Sequence, residues 1–236
     1  MLLLPLLVAC TEPVPNVIQD STGCIWRTQD TGSGWPDSVY GRALAGAGTL
    51  LVNPESGPRA GNSYTMRWDS GPSQDTEIND SGRIPLSLSD LEAGEQAGEL
   101  LDRRGDVALT VNLTLVAPGE PAVICAGPVL ADGSQQEPGD FDDPLTLRAW
   151  TQEAQGLELL LWIYEFDQGL FTSSSQTVAQ HQELLTQDNV TATVTPSYPN
   201  DNNEIGGLEI GGVARLLDAD GEQVGEDVGF PVDFER

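Results

Sequence analysis

The sequence contains no lysine and one histidine, and only ten basic residues, all arginine, stand against 37 acidic ones. Without lysine, Schiff-base chemistry has no amine donor. With His181 as the lone imidazole, histidine metal sites and most nucleophile–base pairs lack parts. A net charge of −27 removes the cations that nucleic-acid binding needs to neutralise phosphates. Adsorption to anionic lipid by charge alone is disfavoured for the same reason. No Gly-x-Ser-x-Gly elbow occurs, and no apolar run approaches the roughly 20 residues of a helical membrane span.

What is present points to a folded, acidic protein. Its 236 residues suffice for one large domain or two smaller ones. Acidic surplus with few aromatics can mean disorder, but 39% apolar content and five tryptophans argue for a core. The field suits cations, either metal ions or basic partner surfaces. Arginine without lysine reads as the imprint of a GC-rich genome.

The apolar stretch Leu2–Leu6 runs into Leu7-Val8-Ala9-Cys10, and polarity changes abruptly at Thr11-Glu12-Pro13. This resembles the lipobox of bacterial lipoproteins. The resemblance implies that residues 1–9 are removed and that Cys10 becomes the lipidated N-terminus, anchoring the chain to the cell envelope. Several acyl chains give stable anchoring where one is marginal. Thr11 in place of Asp implies the outer membrane by the sorting habit of enteric lipoproteins. No Lys or Arg precedes Arg27, so the basic start of a secretory signal is missing and the translation start is expected several codons upstream. Residues 10–23, with Pro13 and Pro15, then read as the lipidated Cys and an extended tether. With Cys10 lipidated, Cys24 and Cys125 remain as an even pair. An oxidising compartment favours a disulfide between them, two buried thiols being the alternative.

Beyond the tether the chain is punctuated by 26 Gly and 16 Pro with short alternating runs between them. Val107, Leu109, Val111, Leu113 and Leu115 alternate with smaller or polar residues, the period of a half-buried strand, and Val190–Val194 repeats the pattern. Two pairs of similar segments suggest a duplication: Asp69 and Asp167 lie 98 residues apart, Gly119 and Gly221 lie 102 apart. A period near 100 resembles immunoglobulin-like or fibronectin-like modules. The expected fold is mainly β, two tandem immunoglobulin-like β-sandwich modules at 24–134 and 144–236, joined by a linker at 135–143. Cys24–Cys125 would clamp the first and last strands of the first module. A helical stripe of Trp150, Ala154, Leu157 and Leu161 leaves a helix open within 145–166.

Candidate sites are few. Hard cations take clustered oxygen ligands, and three loops qualify by composition: Asp140, Asp142 and Asp143; Asn200–Glu204; and Asp218, Asp220 and Glu222. Calcium is the cofactor they could hold, although none completes an EF-hand loop and Asp220-Gly221 is also favoured hairpin chemistry. Trp162 and Tyr164 share one face of the run 157–166, opposite Leu159, Leu161 and Ile163. That run is either a central strand buried on both sides or an aromatic strip for a glycan or protein ligand. Asp30-Thr31-Gly32-Ser33 matches an aspartic-protease tetrad without its apolar lead-in, and nothing selects a pair of carboxylates for glycoside hydrolysis. Arg104-Gly105-Asp106 reads as a turn, and the sequons at Asn79, Asn112 and Asn189 matter only in a eukaryotic secretory pathway. The expected function is a lipid-anchored, non-enzymatic binding, adhesion or structural module. A carbohydrate-binding module or a secreted hydrolase with unidentified paired carboxylates is the alternative.

Overall fold

The alternating runs resolve into strands throughout, and no helix occurs among the described residues. The structure, a computed structural model, describes residues 17–20, 23–28, 37–52, 62–80, 83–129, 144–168, 173–196 and 209–232. In the first half the strands are β1 (Val17–Asp20), β2 (Gly23–Thr28), β3 (Asp37–Leu44), β4 (Thr49–Val52) and β5 (Ser63–Trp68). They continue with β6 (Ser73–Glu77), β7 (Ile84–Ser87), β8 (Gly94–Leu101) and β9 (Val107–Val116). The second half has β10 (Ala122–Pro128), β11 (Leu145–Gln152), β12 (Glu158–Gln168) and β13 (Ser173–Leu184). It ends with β14 (Asn189–Val194), β15 (Glu209–Leu217) and β16 (Gln223–Pro231).

Two apolar cores form in tandem. The first lies between a seven-stranded sheet, ordered β1-β2-β3-β9-β8-β5-β6, and the small β4-β7 sheet. Every pairing there is antiparallel except β3 with β9. Leu109, Val111, Leu113 and Leu115 of β9 enter this core as their alternation requires, against Leu50 and Leu86 of the small sheet. The second core lies between a three-stranded sheet, β10-β11-β14, and a four-stranded one, β13-β12-β15-β16. The chain is thus mainly β and sandwich-like.

Three expectations change, and the choice left open within 145–166 is decided. Val17–Asp20, read as tether, is β1 and pairs with β2. Residues 145–166 are not helical: they contain β11 and most of β12, with Ala154 buried in the turn between them. The two halves are not copies, because their strand orders differ.

The third change concerns the division of the chain. The segment 135–143 lies outside the described residues, but the strands flanking it, β10 and β11, pair with each other. Val123 and Ala126 of β10 belong to the second core. The passage between cores is therefore Ala117–Pro121, and Cys125 belongs to the second unit. A bulge in β10 between Val123 and Cys125 turns Ile124 and Cys125 together toward the first unit. There Cys125 meets Cys24 of β2 in a disulfide, Cα atoms 5.2 Å apart and both residues fully buried. The bridge joins the two cores; it does not close the first upon itself.

Two outcomes follow. Replacing both cysteines with serine should lower stability by about 4–5 kcal/mol, the loop-entropy value for the 101-residue separation. Urea unfolding should then split into two transitions, and an unchanged midpoint would refute the coupling. Gly212→Ala should cost about 1–3 kcal/mol, because a Cβ there overlaps the Phe230 ring, whereas Gly229→Ala faces open space and should be near neutral in the same assay.

Candidate functional site

The seam between the cores is built from both units. Around the disulfide pack Val116, Ala122, Ile124 and Trp150. The Arg42 side chain, only 12% exposed, crosses from β3: its Nε donates to the Val123 carbonyl at 3.0 Å, and a terminal nitrogen meets Glu226 Oε2 at 3.2 Å. Gln152 Nε2 reaches back to the carbonyls of Ala117 and Glu120 at 2.8 and 3.0 Å, pinning the passage. The Arg148 guanidinium lies 5.1 Å from the centre of the Trp150 ring. The seam is a fixed joint, with apolar contact inside and hydrogen bonds at its margin.

The second surface is the outer face of the four-stranded sheet. Leu159, Leu161 and Ile163 of β12 fill the core, so Leu160, Trp162 and Tyr164 point the other way and are half-buried. Register sets Trp162 beside Gln180 of β13 and Val213 of β15, and Tyr164 beside Thr177 and Gly211. β12 is therefore buried on one face only. Gly211 leaves room for the Tyr164 ring, which a Cβ at that position would overlap. The Arg215 guanidinium sits over Trp162 at 5.1 Å and makes a two-pronged ion pair with Asp227, with Nε to Oδ1 at 2.7 Å. The hydrogen bond and charge of Asp227 hold the Arg215 pKa above its usual value.

The acidic candidates divide. Cys10, Asp140, Asp142, Asp143, Asn200–Glu204 and Asp30–Ser33 lie outside the described residues. Asp218, Asp220 and Glu222 form the β15–β16 turn. Asp218 Oδ1 accepts the backbone N–H groups of both Asp220 and Glu222 at 2.9 Å, and Gly221 takes a positive φ of 80°. The same turn recurs at Asp102–Asp106: Asp102 Oδ1 accepts from Arg104 and Asp106 at 2.7 and 3.0 Å, with Gly105 at φ 84°. The pattern Asp-x-x-Gly-acid, present at both places in the sequence, is the signal that reading missed. Among the described residues no three His, Cys, Asp or Glu side chains are grouped as metal ligands.

His181 is half-buried, and its Nε2 lies 3.1 Å from Glu183 Oε2 two residues along the same strand. A cleft of about 530 Å³ opens beside β5 and β6, lined in part by Asp75, Glu77, Asp102 and Arg103. Its carboxylates accept from neighbouring hydroxyls, Ser63 Oγ to Glu77 at 3.1 Å and Thr65 Oγ1 to Asp75 at 2.9 Å. That is the cross-strand bonding of a wet sheet face.

No family model and no curated protein matches the sequence. Among solved structures, one similarity is to a DUF3823 family protein from Bacteroides ovatus. It is 11% identical, covers 79% of this chain and 100% of that chain, and has a TM-score of 0.24. Another is to the tetra-tandem repeat in the extending region of a large adhesion protein, 13% identical over 93% of this chain and 50% of that chain, TM-score 0.23. The chain thus spans about half the length of that repeat structure. Likeness at this level does not place it in either group.

The turn geometry makes its own demand. Asp218→Ala should cost about 1–2 kcal/mol by removing two charge-assisted hydrogen bonds that hold the exposed turn, while Asp218→Asn, which keeps the accepting oxygen, should cost much less. Equal urea midpoints for the two variants would contradict this.

Proposed function

We propose that the chain is an exported, lipid-anchored module of the bacterial cell envelope that binds or spaces without catalysing a reaction. The observation that carries this reading is the buried Cys24–Cys125 bridge between the two cores. A disulfide that holds a joint together persists in an oxidising compartment and is rare in the cytosol. It also uses two of the three cysteines, which leaves Cys10 for the lipid. A chain of charge −27 needs such an anchor, since an anionic membrane surface repels it.

With β1 starting at Val17, only Thr11–Asn16 separate Cys10 from the folded body. Six extended residues reach at most about 20 Å, so the two joined cores are held close to the membrane. Thr11 directs the chain to the outer membrane. The fixed seam then sets how the outer sheet faces are presented to a glycan or protein ligand.

Acylation tests this. Expressed together with the codons upstream of Met1 that supply a basic signal start, in a bacterium given a radioactive or clickable fatty acid, the protein should carry label and sediment with membranes. Cys10→Ala should lose both while remaining folded. Unlabelled wild-type protein in the soluble fraction would overturn the reading.

A further inference from the structure

The bridge and the two cores are nested along the chain. Every described residue of the first core, from Ile25 to Leu115, lies between Cys24 and Cys125. The second core lies beyond Cys125 except for Val123. The bridge therefore closes a covalent loop around one core and leaves the other outside it. On the anchor side of that loop, among the described residues, stand β1 and Gly23, and the one sheet neighbour of β1 is β2.

We propose that this loop is a mechanical bypass. Tension between the anchored end of the chain and whatever holds its second core passes from Cys24 to Cys125 through the sulfurs, so the second core yields and the first does not. Without the bridge the first core would stand in series between anchor and second core, and any tension would cross it. Forced unfolding follows the unfolding rate of the elements under load, and the bridge removes the first core from that set. The strand registers set the order of events. Nearest the anchor, Val17 pairs with Trp26; at the far end of the described chain, Pro231 pairs with Gly211. Because β1 and β16 are the outermost strands of their sheets, a pull from either end opens them one pair at a time. Once β1 has peeled, the load stops at Cys24, and β2 from Ile25 onward carries none of it. Once β16 has peeled, the load reaches β15, which the second core holds through β12. The other ties across the seam are hydrogen bonds, from Arg42 to Val123 and Glu226 and from Gln152 to Ala117 and Glu120. Those bonds exchange with water at little net cost, so they part while the covalent tie stays.

This rests on the reading of the chain as an anchored envelope module and gives its joint a role there. The full chain, carrying Cys10→Ala and a peptide tag at each end, is oxidised with glutathione disulfide, joined to DNA handles and stretched in optical tweezers. The same chain with Cys24→Ser and Cys125→Ser is stretched alongside it. The bridged chain should reach full extension about 340 Å short of the serine variant, the length of the 101-residue loop. In the serine variant that length should appear as an unfolding step separate from those of the second core. A serine variant that fails to fold still reaches its full length, so the comparison of lengths stands. Equal extension of the two chains overturns the proposal. A single step in which both cores of the serine variant open together also overturns it, because the first core then cannot outlast the second. Neither outcome depends on acylation, since the handles replace the lipid, and the two readings fail separately.

Discussion

The joining of the two cores depends on one extra residue in β10. In a regular strand side chains alternate, and Cys125 would share the face of Val123, inside the second core and turned away from Cys24. The bulge breaks that alternation, so Ala122, Ile124 and Cys125 face the first unit while Val123 and Ala126 face the second. All seven residues of β10 are buried because the strand is covered from both sides. The bridge, the Arg42 crossing and the Gln152 contacts all converge on this strand or on the passage leading into it.

A chain with ten cations places them sparingly. Arg42 is spent at the seam, Arg67 meets Glu99 on the first sheet, and Arg215 meets Asp227 on the second. Exposed pairs contribute about 0–1 kcal/mol each, so the cohesion of the molecule rests on its apolar cores and on the bridge. Among the described residues several of the remaining carboxylates are used locally, as turn caps at Asp102 and Asp218 and as hydroxyl partners at Asp75 and Glu77. The outer face of β12 stands apart from this pattern by presenting Leu160, Trp162 and Tyr164, with Glu158 and the paired Arg215 and Asp227 beside them.

What the sequence revealed follows from where each strand sits. β9, wet on one face, alternates visibly from Val107 to Leu115, and the β class was legible from it. β10 shows no alternation because both of its faces are covered, so its membership in the second unit was hidden and the boundary was sought in the Gly- and Pro-rich segment after it. A bulge leaves no mark in residue type, which is why Cys125 paired as expected but joined unexpected partners. The apparent duplication matched Gly119 with Gly221 because both follow a strand end, yet the turn that shares the geometry of Asp218 is Asp102–Asp106. Period two alone puts Trp162 and Tyr164 on one face, as the registers do. Whether that face was covered depended on a second layer that no local pattern encodes.

The most direct test is mass spectrometry of the full-length protein recovered from a bacterial envelope and digested without reduction. The expected result is a peptide containing Cys24 joined to one containing Cys125, with fatty acids carried on Cys10. Free thiols at Cys24 and Cys125, or Cys10 found within a disulfide, would contradict it.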